Sequence, residues 1–154
     1  MKPRMKPYFL LLILLLELAA QAAAGTELVV IVPASSPIER LSLKQLARIY
    51  RRKVLLGPEA TPWFPLNLPP SHPLRKAFSK KVLGQYPEEM ETYWNVQYFN
   101  GILPPYVVTS EEAMRRYVLS TPGAIGYLPR CKVDAKVKIV ASFPLPPGMD
   151  PDCR

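Results

Sequence analysis

From Glu27 to Val32 every position after the first is apolar, the pattern of a strand buried on both faces. The period then changes. Leu43, Leu46, Ala47 and Tyr50 recur at helical spacing behind Ser42, which predicts a short amphipathic helix capped by that serine. Phe64 to Leu68 predicts a second short strand, entered and left through prolines. A helix is expected from Ser71 to about Leu83, with Leu74, Ala77, Phe78 and Val82 on one face and Gly84 as its stop. Pro87 opens another, with Glu88 and Glu89 in the first turn, where the helix dipole favours carboxylates. Its apolar stripe is Met90, Tyr93, Trp94 and Tyr98. Gly101 to Pro105 reads as a loop. Ser110 caps a further helix that turns Met114, Tyr117 and Val118 inward, and two strands follow, Ala124 to Leu128 and Val137 to Ala141. There is no internal repeat.

Strand–helix alternation of this kind predicts an α/β domain with a mostly parallel sheet flanked by helices. The 19 prolines fall between periodic segments, so they mark stiff connections rather than disorder.

Residues 1–24 follow a different logic. Lys2, Arg4 and Lys6 precede an apolar run from Tyr8 to Leu16, and Ala22, Ala23 and Ala24 close the segment. That order is the one of a cleaved secretory signal peptide. The run is shorter than the roughly 20 residues a membrane span needs, and Glu17 interrupts it. Cleavage near Ala24 and export without a remaining membrane span are therefore expected. The 130 residues left suit one domain. Losing Lys2, Arg4, Lys6 and Glu17 lowers the net charge from +8 to +6, which favours anionic partners. Nucleic acid is set aside, because an exported chain rarely meets it. In an oxidising compartment Cys131 and Cys153, the only two cysteines, pair by default and tie the Pro-rich tail to the end of the Gly126 strand. A single histidine and two distant cysteines are too few for a zinc site.

Candidate chemistry gathers at Leu66-Asn67-Leu68-Pro69-Pro70-Ser71-His72-Pro73, where a strand leads into a helix. Ligands of such sheets bind at strand C-termini beside helix N-termini, whose free amides attract anions. Ser71 is placed to cap the helix, and Arg75 and Lys76 add positive charge; the same arrangement also serves as a plain cap. Gly126 sits inside a strand, where glycine is costly unless a backbone or ligand must come close. Nothing points to catalysis. His72 has no triad geometry with its neighbour Ser71, the seven glycines form no phosphate-cradling loop, and Glu88, Glu89 and Glu91 are explained by a helix start.

Three segments carry a family resemblance. Pro122-Gly123-Ala124-Ile125-Gly126-Tyr127 resembles the "PGAIGY" segment of periplasmic phosphate-binding proteins, the solute receptors of ABC-type phosphate import. Leu43 to Tyr50, with Lys53 after it, is similar to their "LTLEQLADIFxGK" segment. Ser71-His72-Pro73 falls where those receptors carry Ser-Gly-Thr around the phosphate. The resemblance departs at the charged anchors, since the family's arginine corresponds to Asn67 and its aspartate to Pro69. It implies a minimal, single-lobe version of the type 2 periplasmic-binding fold over residues 25–154, a periplasmic location and no cofactor. The implied ligand is phosphate or another small oxyanion, bound weakly at Asn67, Ser71, His72 and Gly126. The alternative is an envelope accessory protein that uses the same fold to dock a protein partner. Exposed aromatics on the Tyr93 to Phe99 helix or the Tyr106 loop would favour docking; a polar cavity at Ser71 facing Gly126 would favour the solute.

Overall fold

The computed structural model describes residues 27–153; the expected signal and its cleavage point near Ala24 lie outside them. Five strands form one sheet: β1 (Glu27–Pro33), β2 (Phe64–Asn67), β3 (Tyr106–Val107), β4 (Ala124–Pro129) and β5 (Val137–Pro144), in the order β3-β2-β4-β1-β5. The helices are α1 (Leu43–Tyr50), α2 (Pro73–Leu83), α3 (Glu91–Phe99) and α4 (Glu111–Ser120). Leu28 to Val32 of β1 and the whole of β4 are buried. Both strands are apolar on both sides because helices cover both faces of the sheet. On one face Tyr50 of α1 and Phe78 of α2 meet the Tyr127 ring, with Phe78 stacked at 4.0 Å between centroids. On the other, Met114 and Val118 of α4 lie over Gly126.

The sheet is mixed. β2 runs parallel to β3 and β4, whereas β1 is antiparallel to both β4 and β5. Four strands thus share a direction, and the expectation of a mostly parallel sheet misses only the reversal of β1. A continuous apolar run reads the same in either direction, so the sequence pattern carries no sign of that reversal.

Most helix ends fall where the residues place them. Ser42 caps α1 in a capping box with Gln45, whose side-chain oxygen accepts the Ser42 N–H at 2.8 Å. Ser110 accepts the Ala113 N–H at 3.1 Å, and α2 ends at Gly84. Tyr117, expected to turn inward, is exposed, and its helix buries Ala113, Met114 and Val118 instead. Three further features differ from expectation. The segment opened by Pro87 is a 3₁₀ turn, Pro87–Met90, that leads into α3. Tyr98 leaves the stripe and is 65% exposed, because α3 buries only the side carrying Tyr93 and Trp94. The two-residue edge strand β3 was too short to register as a period.

Gly123 and Gly126 solve two separate packing problems. Gly123 has φ +73°, and a Cβ there would stand 2.0 Å from the Pro62 carbonyl oxygen. Its own carbonyl accepts the Phe64 N–H at 2.9 Å, locking the Pro-Gly turn to the start of β2. At Gly126 a Cβ would lie 2.5 Å from Met114 Sδ, so the glycine lets α4 settle onto β4. Cys131 and Cys153 form a disulfide that returns the tail after β5 to the end of β4. Leu145 of that tail is buried in the core. Among the described residues no helix is long and apolar enough to cross a membrane.

Candidate functional site

β2 delivers Asn67 to the C-terminal edge of the sheet. The chain then turns through Pro69 and Pro70, with the His72 N–H donating to the Pro69 carbonyl at 2.9 Å. The helix begins at Pro73, and its cap is His72 rather than Ser71: His72 Nδ1 accepts the Leu74 N–H at 3.2 Å. With Pro73 at the first helical position the capping place falls on His72, and Ser71 stands one residue outside it. Ser71 is exposed in the preceding turn.

The third residue of the helix is Arg75, and it faces inward. Arg75 shares the buried side of α2 with Leu74, Phe78, Ser79, Val82 and Leu83 and is only 7% exposed. Its Nε and Nη1, and the Ser79 Oγ one turn later, have no hydrogen-bond partner among the described residues. Burial lowers the Arg75 pKa, while the Tyr127 and Tyr50 hydroxyls act to raise it. A guanidinium keeps its charge at neutral pH even where burial lowers its pKa. Burial raises Tyr127 and Tyr50 above the ordinary tyrosine value, so both hydroxyls stay neutral.

Beside this charge lies a short polar chain. The Tyr127 hydroxyl donates to Asn67 Oδ1 at 3.3 Å and accepts the Leu68 N–H at 3.1 Å. Asn67 is 3% exposed. The Tyr50 hydroxyl donates to the Ile125 carbonyl at 3.2 Å. The interior between α1, α2 and β4 therefore holds one cation, two neutral hydroxyls and a buried amide, with no carboxylate bonded to the cation. Chemically this is a place that favours an acceptor-rich, negatively charged group.

The surface beside His72 has the opposite character. A cleft of about 240 Å³ there is lined by His72, Leu74, Glu111, Asp150 and Asp152, among others. Glu111 Oε1 is 3.7 Å from His72 Nε2, and its other oxygen is 2.9 Å from Lys132 Nζ. Three carboxyl groups thus line this wall, with Glu111 held by Lys132.

Of the residues expected at the site, Asn67 and His72 come together at the entry to α2. Ser71 lies on the outer side of that turn. Gly126 does not join them: side chains alternate along β4, so Tyr127 faces α2 while position 126 faces α4. No polar cavity links Ser71 to Gly126 among the described residues. Sequence reasoning left out Ser79 and Tyr127, and it counted Arg75 as added surface charge rather than as a buried group. A signal for Arg75 was present, since it stands in register with the apolar stripe of its helix, one position after Leu74 and three before Phe78.

No protein-family model matches the chain, and no curated protein is similar to it. Solved structures do share its fold. A phosphate ABC transporter substrate-binding protein from Clostridium perfringens, solved with bound phosphate, superposes with a TM-score of 0.61 at 21% identity, over 75% of this chain and 45% of that one. An ABC-type phosphate transport receptor from Vibrio cholerae gives 0.59 at 19% identity, over 77% and 47%. PstS from Borrelia burgdorferi gives 0.56 at 16%, over 79% and 52%. The chain has the α/β fold of these proteins and spans about half their length.

Proposed function

We propose that this chain is an exported, non-enzymatic solute-binding-type domain that binds phosphate or a similar small oxyanion weakly at the entry to α2. The observation that carries the reading is Arg75, a buried guanidinium with two unpartnered nitrogens, beside Asn67 and Tyr127. Asn67 stands where the resembling receptors have an arginine, and Arg75 returns a positive charge to the same strand–helix junction from the helix side. The fold shared with phosphate receptors supports the same ligand class. Two features keep the affinity low. The carboxyl groups of Glu111, Asp150 and Asp152 line the cleft beside His72, and the described residues form one wall, whereas a site that buries most of a small ligand encloses it. A dissociation constant on the order of millimolar, about 4 kcal/mol, is expected.

Titration with phosphate, and separately sulfate, while recording amide shifts is the test. His72, Leu74 and Arg75 should move first, and Arg75→Met should abolish the response. Micromolar affinity would overturn the reading of the weakened site, and silence at these residues toward every oxyanion would overturn the oxyanion reading itself. The export proposal is tested by N-terminal sequencing of protein from the cell envelope, which should begin at or near Gly25; an intact Met1 in a membrane-extracted fraction contradicts it.

A second reading has its own observation. Tyr98, Phe99, Leu103 and Tyr106 are all at least half exposed, with Phe99 at 89%. Exposed aromatics of this size favour a protein partner, and the docking role becomes the better one if no oxyanion binds.

A further inference from the structure

A second concavity lies on the outward side of α2, between that helix and the tail after β5. It has a volume of about 670 Å³, inside the range of roughly 300–1,000 Å³ typical of small-ligand sites. Leu28, Ala77, Phe143, Leu145 and Met149 form its apolar surface, and Lys76, Lys80 and Lys81 border it. No carboxylate is among its lining residues. Among the described residues, none of the three lysines forms a salt bridge. Lys80 Nζ instead stands 4.8 Å from the centre of the Tyr86 ring, and Lys81 Nζ stands 5.8 Å from that of Phe143. Cations that rest on aromatic faces next to an apolar floor are available to a charged head group.

The chemistry of the far wall narrows the occupant. A peptide strand laid beside the end of β5 would need backbone N–H donors from this edge. Pro144, Pro146 and Pro147 supply none. An alkyl chain needs none either. We infer that this groove binds a single-chain anionic amphiphile, with its hydrocarbon along Leu28, Phe143, Leu145 and Met149 and its phosphate or carboxylate head among Lys76, Lys80 and Lys81. This site is separate from the one at Arg75, which lies on the buried side of the same helix.

The disulfide-bonded chain is titrated with dodecyl phosphate and with dodecanoate, both below their micelle concentrations. Dodecyltrimethylammonium and inorganic phosphate serve as controls, and amide shifts are the readout. Both anionic amphiphiles should move Lys76 to Lys81 and Phe143 to Met149, whereas inorganic phosphate should leave those residues still. Affinity should rise about fourfold for each added CH₂ from octyl to dodecyl phosphate, as burial of methylenes requires. The surface double variant Lys80→Glu/Lys81→Glu should weaken dodecyl phosphate about tenfold and strengthen the cationic amphiphile, a reversal that charge recognition demands. Equal binding of both charge types, with no effect of the double variant, would show unspecific surfactant adsorption and overturn the inference. So would a flat chain-length series, or an acidic peptide that occupies these residues while the amphiphiles do not. Because the phosphate control reports on His72 to Arg75, failure here and failure of the oxyanion reading are told apart in one experiment.

Discussion

Arg75→Met should stabilise this domain, an unusual direction for a substitution at a buried polar position. Arg75 is 7% exposed, and its Nε and Nη1 are buried without acceptors. Each unmet buried N–H costs about 1–3 kcal/mol. The Tyr127 and Tyr50 hydroxyls, kept neutral by burial, offset little of that cost. Methionine keeps the aliphatic stem packed against its neighbours and removes the charge, so a net gain of about 2 kcal/mol is expected. With a urea slope of about 2 kcal/mol per molar, the unfolding midpoint in phosphate-free buffer should rise by about 1 M. Phosphate should erase most of the difference. At a millimolar dissociation constant, 10 mM phosphate stabilises the unsubstituted chain by about 1.4 kcal/mol and leaves the variant unchanged. Equilibrium urea melts of both proteins, with and without phosphate, therefore decide the matter. If Arg75→Met lowers the midpoint and both proteins respond to phosphate alike, the guanidinium is a structural element and the argument for an anion site at Arg75 fails.

The remaining expectations rest on other parts of the chain. Gly123→Ala combines a left-handed backbone with a Cβ 2.0 Å from the Pro62 carbonyl, and should cost about 2–4 kcal/mol in the same urea assay; a neutral outcome would show that the turn relaxes freely. His72→Ala removes a helix cap and should cost about 1 kcal/mol, while exposed Ser71→Ala should stay within about 0.5 kcal/mol; the reverse order would return the cap to Ser71. Reduction of Cys131–Cys153, which closes a sequence separation of 22 residues, should lower stability by about 3 kcal/mol, and thiol alkylation of native protein should label neither cysteine. Tyr127 and Tyr50 hold their protons above the ordinary tyrosine value of 10.0 in the folded state, so unfolding releases protons and stability should fall as pH rises past about 10. Tyr127→Phe should flatten that alkaline decline, and an unchanged slope would mean the two rings do not control it.

Much of this protein could be read from local rules. The buried run of β1, the caps at Ser42 and Ser110, the stop at Gly84 and the tight turn at Gly123 each depend on a few neighbouring residues. Periodicity, capping and glycine chemistry act at that range, so these elements stand where the sequence places them. The pairing of the two cysteines followed from their number and from the expectation of export. What required the tertiary structure was every question of direction and facing. An apolar run buried on both sides does not encode whether its neighbours run with it or against it, and β1 is the reversed strand. Gly126 announced a close approach, but only the packing shows that α4, on the face opposite α2, makes it. Arg75 looked like one more surface cation, and only the rotation of α2 against Tyr50 and Tyr127 buries it. Side-chain facing is set by long-range packing between segments far apart in the chain, and that information is absent from any window short enough to be read as a pattern.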